Sequence, residues 1–161
     1  MKCFRFGLFR QASILVDIQG GPRLPDRLKP NSMCLLTVRD KQQMEEKRRV
    51  IGAFMVEEDF IGSHCRDGII HVHPHYRLQL LLQQQPLFWP YIVREPQKQR
   101  WSESAFKYAS NHATERILFD LKSRIFKAEE QSRAEAFYQY FCEMNRLYPR
   151  IEVETAYEPN R

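Results

Sequence analysis

A glycine inside a β-rich apolar run constrains this chain most. In Arg48-Arg-Val-Ile-Gly-Ala-Phe-Met-Val-Glu-Glu-Asp-Phe60 the small pair Gly52-Ala53 interrupts bulky apolar residues. Glycine weakens a strand interior, so it marks a bulge, a barrel bend or close approach by another group. A second apolar run, Met33-Cys-Leu-Leu-Thr-Val38, precedes it across a polar connection. Together the two runs predict a small curved sheet, and they name no reaction.

The chain has two textures. Every glycine, and every proline before residue 149, falls in residues 1–101, whereas residues 102–148 contain neither. The first half reads as short strands at 3–10, 13–17, 33–38, 49–60 and 68–73, the last extended by 76–82 beyond Pro74. A final short strand is expected at 88–93, where Pro90 implies an edge or a bulge. Lys29-Pro30-Asn31-Ser32 reads as a turn, and 40–47 as an exposed charged connection or short helical turn. The second half reads as two helices. Thr114 is the expected cap of the first, whose apolar face is Ile117, Leu118, Leu121, Ile125 and the adjacent Phe126. The second is expected to start near Ser132. Its stripe of Phe137, Phe141, Met144 and Tyr148, widened by Tyr138, recurs at spacings of four, three and four, and Pro149 closes it.

With 161 residues and 43% hydrophobic content, the chain suits one domain with a real core. Lys and Arg outnumber Asp and Glu by 25 to 20, a net charge of +5, which favours an anionic partner such as nucleic acid. Cys3, Cys34, Cys65 and Cys142 stand far apart without CxxC spacing, the pattern of reduced thiols rather than a disulfide framework. Arg5 and Arg10 break the apolar run at the N-terminus, and no run approaches the roughly 20 apolar residues of a membrane helix. A soluble cytoplasmic protein without a membrane partner is expected.

Three stretches, Leu28-Lys-Pro-Asn-Ser-Met-Cys-Leu-Leu-Thr-Val38, Arg49-Val-Ile-Gly-Ala-Phe-Met-Val56 and Phe88-Trp-Pro-Tyr-Ile-Val93, resemble the PUA-like superfamily with its ASCH, EVE, YTH and SRA groups. In that superfamily a lysine-proline-glycine turn introduces a strand, a valine-isoleucine-glycine strand pairs beside it, and a late aromatic strand closes a barrel. Asn31 stands here in place of the usual glycine, a substitution that left-handed backbone tolerates. The resemblance covers 28–93 and leaves the helical half unmatched. It implies a small PUA-like β-barrel over 1–101; with the helical pair expected to pack on it over 102–148 and a polar tail over 149–161, both read from the residues themselves, the expected class is α+β. It also implies a groove for DNA or RNA, in which several relatives accept a modified or flipped-out base between aromatic rings. Stacking on such rings contributes about 1–3 kcal/mol per base, against a cost of a few kcal/mol for extracting a duplex base.

The expected nucleic-acid-binding residues are Trp89, Tyr91 and Trp101 as a stacking group, with Arg94 and Arg49 meeting phosphates; core packing is the alternative reading of the rings. Thr37, Arg39, Lys41, Glu45 and Glu46 fall near the position where some ASCH proteins hold polar active groups. A metal-dependent enzyme is a second reading, resting on His71 and His73 within the group His64, Cys65, His71, His73 and His75, since zinc takes imidazole and thiolate ligands. Surface or hydrogen-bonded histidines are the simpler account of that group. A protein–protein module whose helices dock a partner or a second copy is a third reading. Glu57, Glu58 and Asp59 read as a solvated loop. Neither a Gly-x-Ser-x-Gly elbow nor a phosphate-cradling glycine loop occurs, so enzyme chemistry has no specific support and no cofactor is expected.

Overall fold

The structure, a computed structural model, describes residues 6–7, 11–13, 29–60, 69–101 and 109–151, and the backbone alone at 6–7, 11–13 and 69–71. Five antiparallel strands, β1 (Phe6–Gly7), β2 (Gln11–Ser13), β3 (Met33–Val38), β4 (Arg49–Val56) and β5 (Ile69–Gln79), form one sheet in the order β1-β2-β5-β4-β3. The class is α+β, but the sheet is open, and this corrects the barrel expectation. Among the described residues β3 and β1 stand at opposite edges without pairing.

The expected closing strand at 88–93 is instead a helical turn, α1 (Trp89–Ile92). Pro90 occupies its second position, where a fixed φ fits and the missing N–H would have had no partner. The segment leading into it pairs with the sheet through its backbone: Val50 N–H donates to Pro86 O at 2.9 Å, Phe88 N–H donates to Arg48 O at 2.8 Å, and Arg49 bridges Leu87. That segment takes the flank of β4 that β5 leaves free after pairing Gly52 with Gln79.

Gly52 is explained by close approach. A Cβ there would lie 2.6 Å from the Leu78 carbonyl oxygen on β5. Beside it on β3 the pairing slips between Leu36 and Thr37, so a bulge accompanies the glycine. β5 continues through Pro74, and its register against β4 shifts between Phe54 and Val56. The chain there is held by its own side chain: His73 Nδ1 accepts from the N–H groups of His75 and Tyr76 at 3.1 and 3.3 Å. At the 29–32 turn Asn31 has φ 59°, and Ser32 N–H donates to Lys29 O at 3.0 Å. Pro at the second position and left-handed Asn at the third are features of a type II turn.

The two long helices are α2 (Asn111–Ser123) and α3 (Ala128–Met144). Ser110 caps α2, its Oγ accepting from Ala113 N at 3.2 Å; Thr114, the expected cap, is buried inside the helix. α3 begins four residues before Ser132 and ends four before Tyr148. Its end is a Schellman turn: Leu147 N–H reaches Cys142 O at 2.9 Å and Arg146 N–H reaches Glu143 O at 3.2 Å. Tyr148, expected on the buried stripe, therefore lies beyond the helix and is 97% exposed. Arg146 holds the left-handed position of that turn, with φ 54°. Glycine favours it, so Arg146→Gly is expected to raise stability, by up to about 1 kcal/mol, in urea unfolding.

One buried cluster joins Val50, Ala53, Met55, Leu78 and Leu80 of the sheet side to Phe88 and Trp89, to Ile117, Leu118 and Leu121 of α2, and to Phe137, Tyr138, Phe141 and Cys142 of α3. Leu36, Phe54, Val56 and Val72 form a second cluster. Strand alternation puts neighbouring β4 residues into different clusters. Cys34 and Cys142 are free thiols, and burial pushes the Cys34 thiol up to about 12.

Candidate nucleic-acid interface

The β3–β4 hairpin end is built around one carboxylate. After β3 the chain turns through 39–48, closing with a 3-10 turn at Glu45–Lys47 that aims Glu45 back at Arg48 three residues on. Glu45 Oε1 accepts from Arg48 Nε and, at 3.2 Å, from Trp89 Nε1. Its Oε2 accepts from Arg48 Nη2 at 3.1 Å and lies 3.0 Å from Arg39 Nε. The Arg39 Nε–H is not aimed at that oxygen and meets no acceptor among the described residues. Arg48 also donates from Nη1 to Thr37 Oγ1 at 3.3 Å, and its guanidinium sits 4.1 Å from the Trp101 ring centroid. Two guanidiniums thus share one carboxylate, leaving local positive charge in a half-buried setting.

The five expected binding residues are not brought to one surface. Trp89 is 1% exposed, and its ring meets Phe88 at 5.2 Å and Trp101 at 6.4 Å, both edge-on. Because 89–92 is helical, Trp89 and Tyr91 do not share a strand face. Tyr91 leans on α2 and donates to Asp120 Oδ2 at 2.6 Å. Burial, then the Asp120 hydrogen bond and charge, push its phenol above the ordinary value. Trp101 is half-buried against Phe88 and Arg48, Arg94 is exposed, and Arg49 is half-buried on β4. Of the polar residues singled out beside β3, Thr37, Arg39 and Glu45 converge. Arg48, which joins them to Trp101, is a site residue that the sequence reading misses. The i, i+3 spacing of Glu45 and Arg48 is its one local signal.

The histidine group does not assemble as a metal site among the described residues, where no cluster of three or more His, Cys, Asp or Glu is found. His64, Cys65 and the His71 side chain lie outside the described residues. His73 is buried, and its Nδ1 is already occupied by two backbone N–H groups. Its Nε2 faces Glu58 at 3.7 Å, and its ring packs on Tyr76, which stacks on Tyr140 at 4.1 Å. Glu58 and Asp59 are exposed and Glu57 half-buried, as expected of a loop. No described helix is long and apolar enough to cross a membrane. Comparison with protein-family models, with curated proteins and with solved structures returns no match.

Proposed function

We propose that this protein is a nucleic-acid-binding module that engages phosphates at the β3–β4 hairpin end. The observation that carries the reading is where the charge sits. Residues 39–49 hold five Lys and Arg against three Asp and Glu, and residues 94–101 hold three against one, a combined net charge of +4 over nineteen residues. They meet where Arg48 lies over Trp101. Concentrated basic groups release counterions from a phosphate backbone, which supplies most non-specific affinity. The reading favours backbone contact over base capture, because Trp89 lies in the core and Tyr91 is bonded to Asp120.

Titration of labelled single-stranded and duplex oligonucleotides, DNA and RNA, at two salt concentrations tests it. Binding is expected to weaken steeply with salt. Replacing exposed Arg94 or Arg100 by Ala is expected to shallow the logarithmic salt slope by about 0.7–0.9 for each phosphate no longer neutralised. Absence of salt-dependent binding to every oligonucleotide overturns the reading.

A further inference from the structure

Past the Schellman turn, residues 148–151 run back along the helix pair and place Arg150 on a buried carboxylate. Glu115 of α2 is 5% exposed, yet both its oxygens lie 3.0 Å from Arg150 Nε. Tyr138 of α3, fully buried, donates to Glu115 Oε1 at 2.7 Å and accepts from the Arg150 backbone N–H at 2.7 Å. The Phe119 ring lies 5.9 Å from the guanidinium carbon and meets Tyr138 edge-on at 5.6 Å. A carboxylate fixed by a phenol beside an aromatic ring suits a planar guanidinium, which combines directed N–H donors with an affinity for ring faces.

The segment that fills this site is held by polar contacts rather than by apolar burial. The Arg150 side chain is 50% exposed, and its apolar neighbours Tyr148 and Ile151 are 97% and 86% exposed. The carboxylate, in contrast, belongs to the packed helices. Its position is set by α2 and by the Tyr138 hydrogen bond, neither of which belongs to the segment, so that when the segment lifts the carboxylate keeps its place and loses its guanidinium partner. We infer that Glu115, Tyr138 and Phe119 form a guanidinium-recognition site that Arg150 fills in cis. The segment 148–151 is thus a displaceable plug, and an arginine side chain is the ligand class that takes its place.

Chemical rescue tests this on the full chain. Arg150→Ala is expected to lower the melting midpoint by several degrees, and N-ethylguanidinium is expected to restore it saturably. Ethylammonium at equal ionic strength is expected to restore little, and wild-type protein, whose site Arg150 already fills, is expected to respond to N-ethylguanidinium only at much higher concentration, as displacement requires. Two results overturn the inference: an Arg150→Ala protein that melts like wild type, or equal restoration by both cations. Should Arg150→Ala fail to fold, Arg150→Lys keeps the charge without the fork. N-ethylguanidinium is then expected to shift the amide resonances around Glu115 and Tyr138, and absence of any shift overturns the inference.

Discussion

Trp89→Ala is expected to cost about 3–5 kcal/mol of folding stability, the range for removing a large aromatic from a packed core. At about 2–4 °C per kcal/mol for a chain of this size, the melting midpoint should fall by about 6–20 °C. The size of the effect follows from the ring's surroundings. Trp89 is 1% exposed, touches Phe88 and Trp101, and belongs to the cluster joining the sheet to α2 and α3. Its N–H also fixes Glu45, and so the orientation of Arg48. Trp89→Phe separates the two contributions. It keeps most of the apolar volume and loses a hydrogen bond worth about 1 kcal/mol, while Glu45 retains Arg48 and Arg39. Arg94→Ala, at an exposed position, should stay within about 0.5 kcal/mol of wild type. Urea unfolding followed by far-UV circular dichroism measures all three. A Trp89→Ala protein of near-native stability without oligonucleotide affinity would move Trp89 from the core to the binding surface.

What is legible in the sequence, and what is hidden, follows from the range of the interactions. β3 is readable to the residue, and a left-handed Asn31 is expected, because Lys29-Pro30-Asn31-Ser32 fixes the start of the strand locally. The two helices are legible from apolar spacing, their ends less so. Ser110 and Thr114 are both good caps one turn apart, and only the burial of Thr114 in the tertiary core selects Ser110. The 88–93 stretch misleads because a short run of aromatic and β-branched residues around one proline suits an edge strand as well as a first helical turn. Without that strand, none of the described strands closes the barrel. Glu45 and Arg48 advertise each other at three residues' separation. The bond from Trp89 to the same carboxylate spans 44 residues and leaves no local mark. Arg150 on Glu115, 35 residues apart and in what reads as a polar tail, is hidden for the same reason.

Gly52→Ala is expected to destabilise the protein by about 1–3 kcal/mol, the cost of overpacking a close-packed interior. The sign is the informative part. In an ordinary strand interior, replacing glycine by alanine gains roughly 0.5–1 kcal/mol, because glycine loses more backbone freedom on folding. Here the added methyl would stand 2.6 Å from the Leu78 carbonyl oxygen, a backbone atom that cannot swing aside as a side chain does. Relieving the clash means separating β4 from β5 where Ala53 pairs with Leu78, one residue from the register shift at Phe54. Ala53 and Phe54 are buried on opposite faces in the two separate clusters, so the displacement disturbs both. Gly52→Val, with two more methyl groups, should cost more than Gly52→Ala. Both variants are expected to lower the urea midpoint with an unchanged slope, as befits a strained native state rather than an altered unfolded one. A neutral or stabilising Gly52→Ala would mean that β5 yields at Leu78, and close approach would then not be the reason for glycine at this position. If the cost appears while oligonucleotide affinity, measured on the folded fraction, is unchanged, Gly52 shapes the strand that delivers Arg48 and Arg49 to the hairpin end and takes no part in binding.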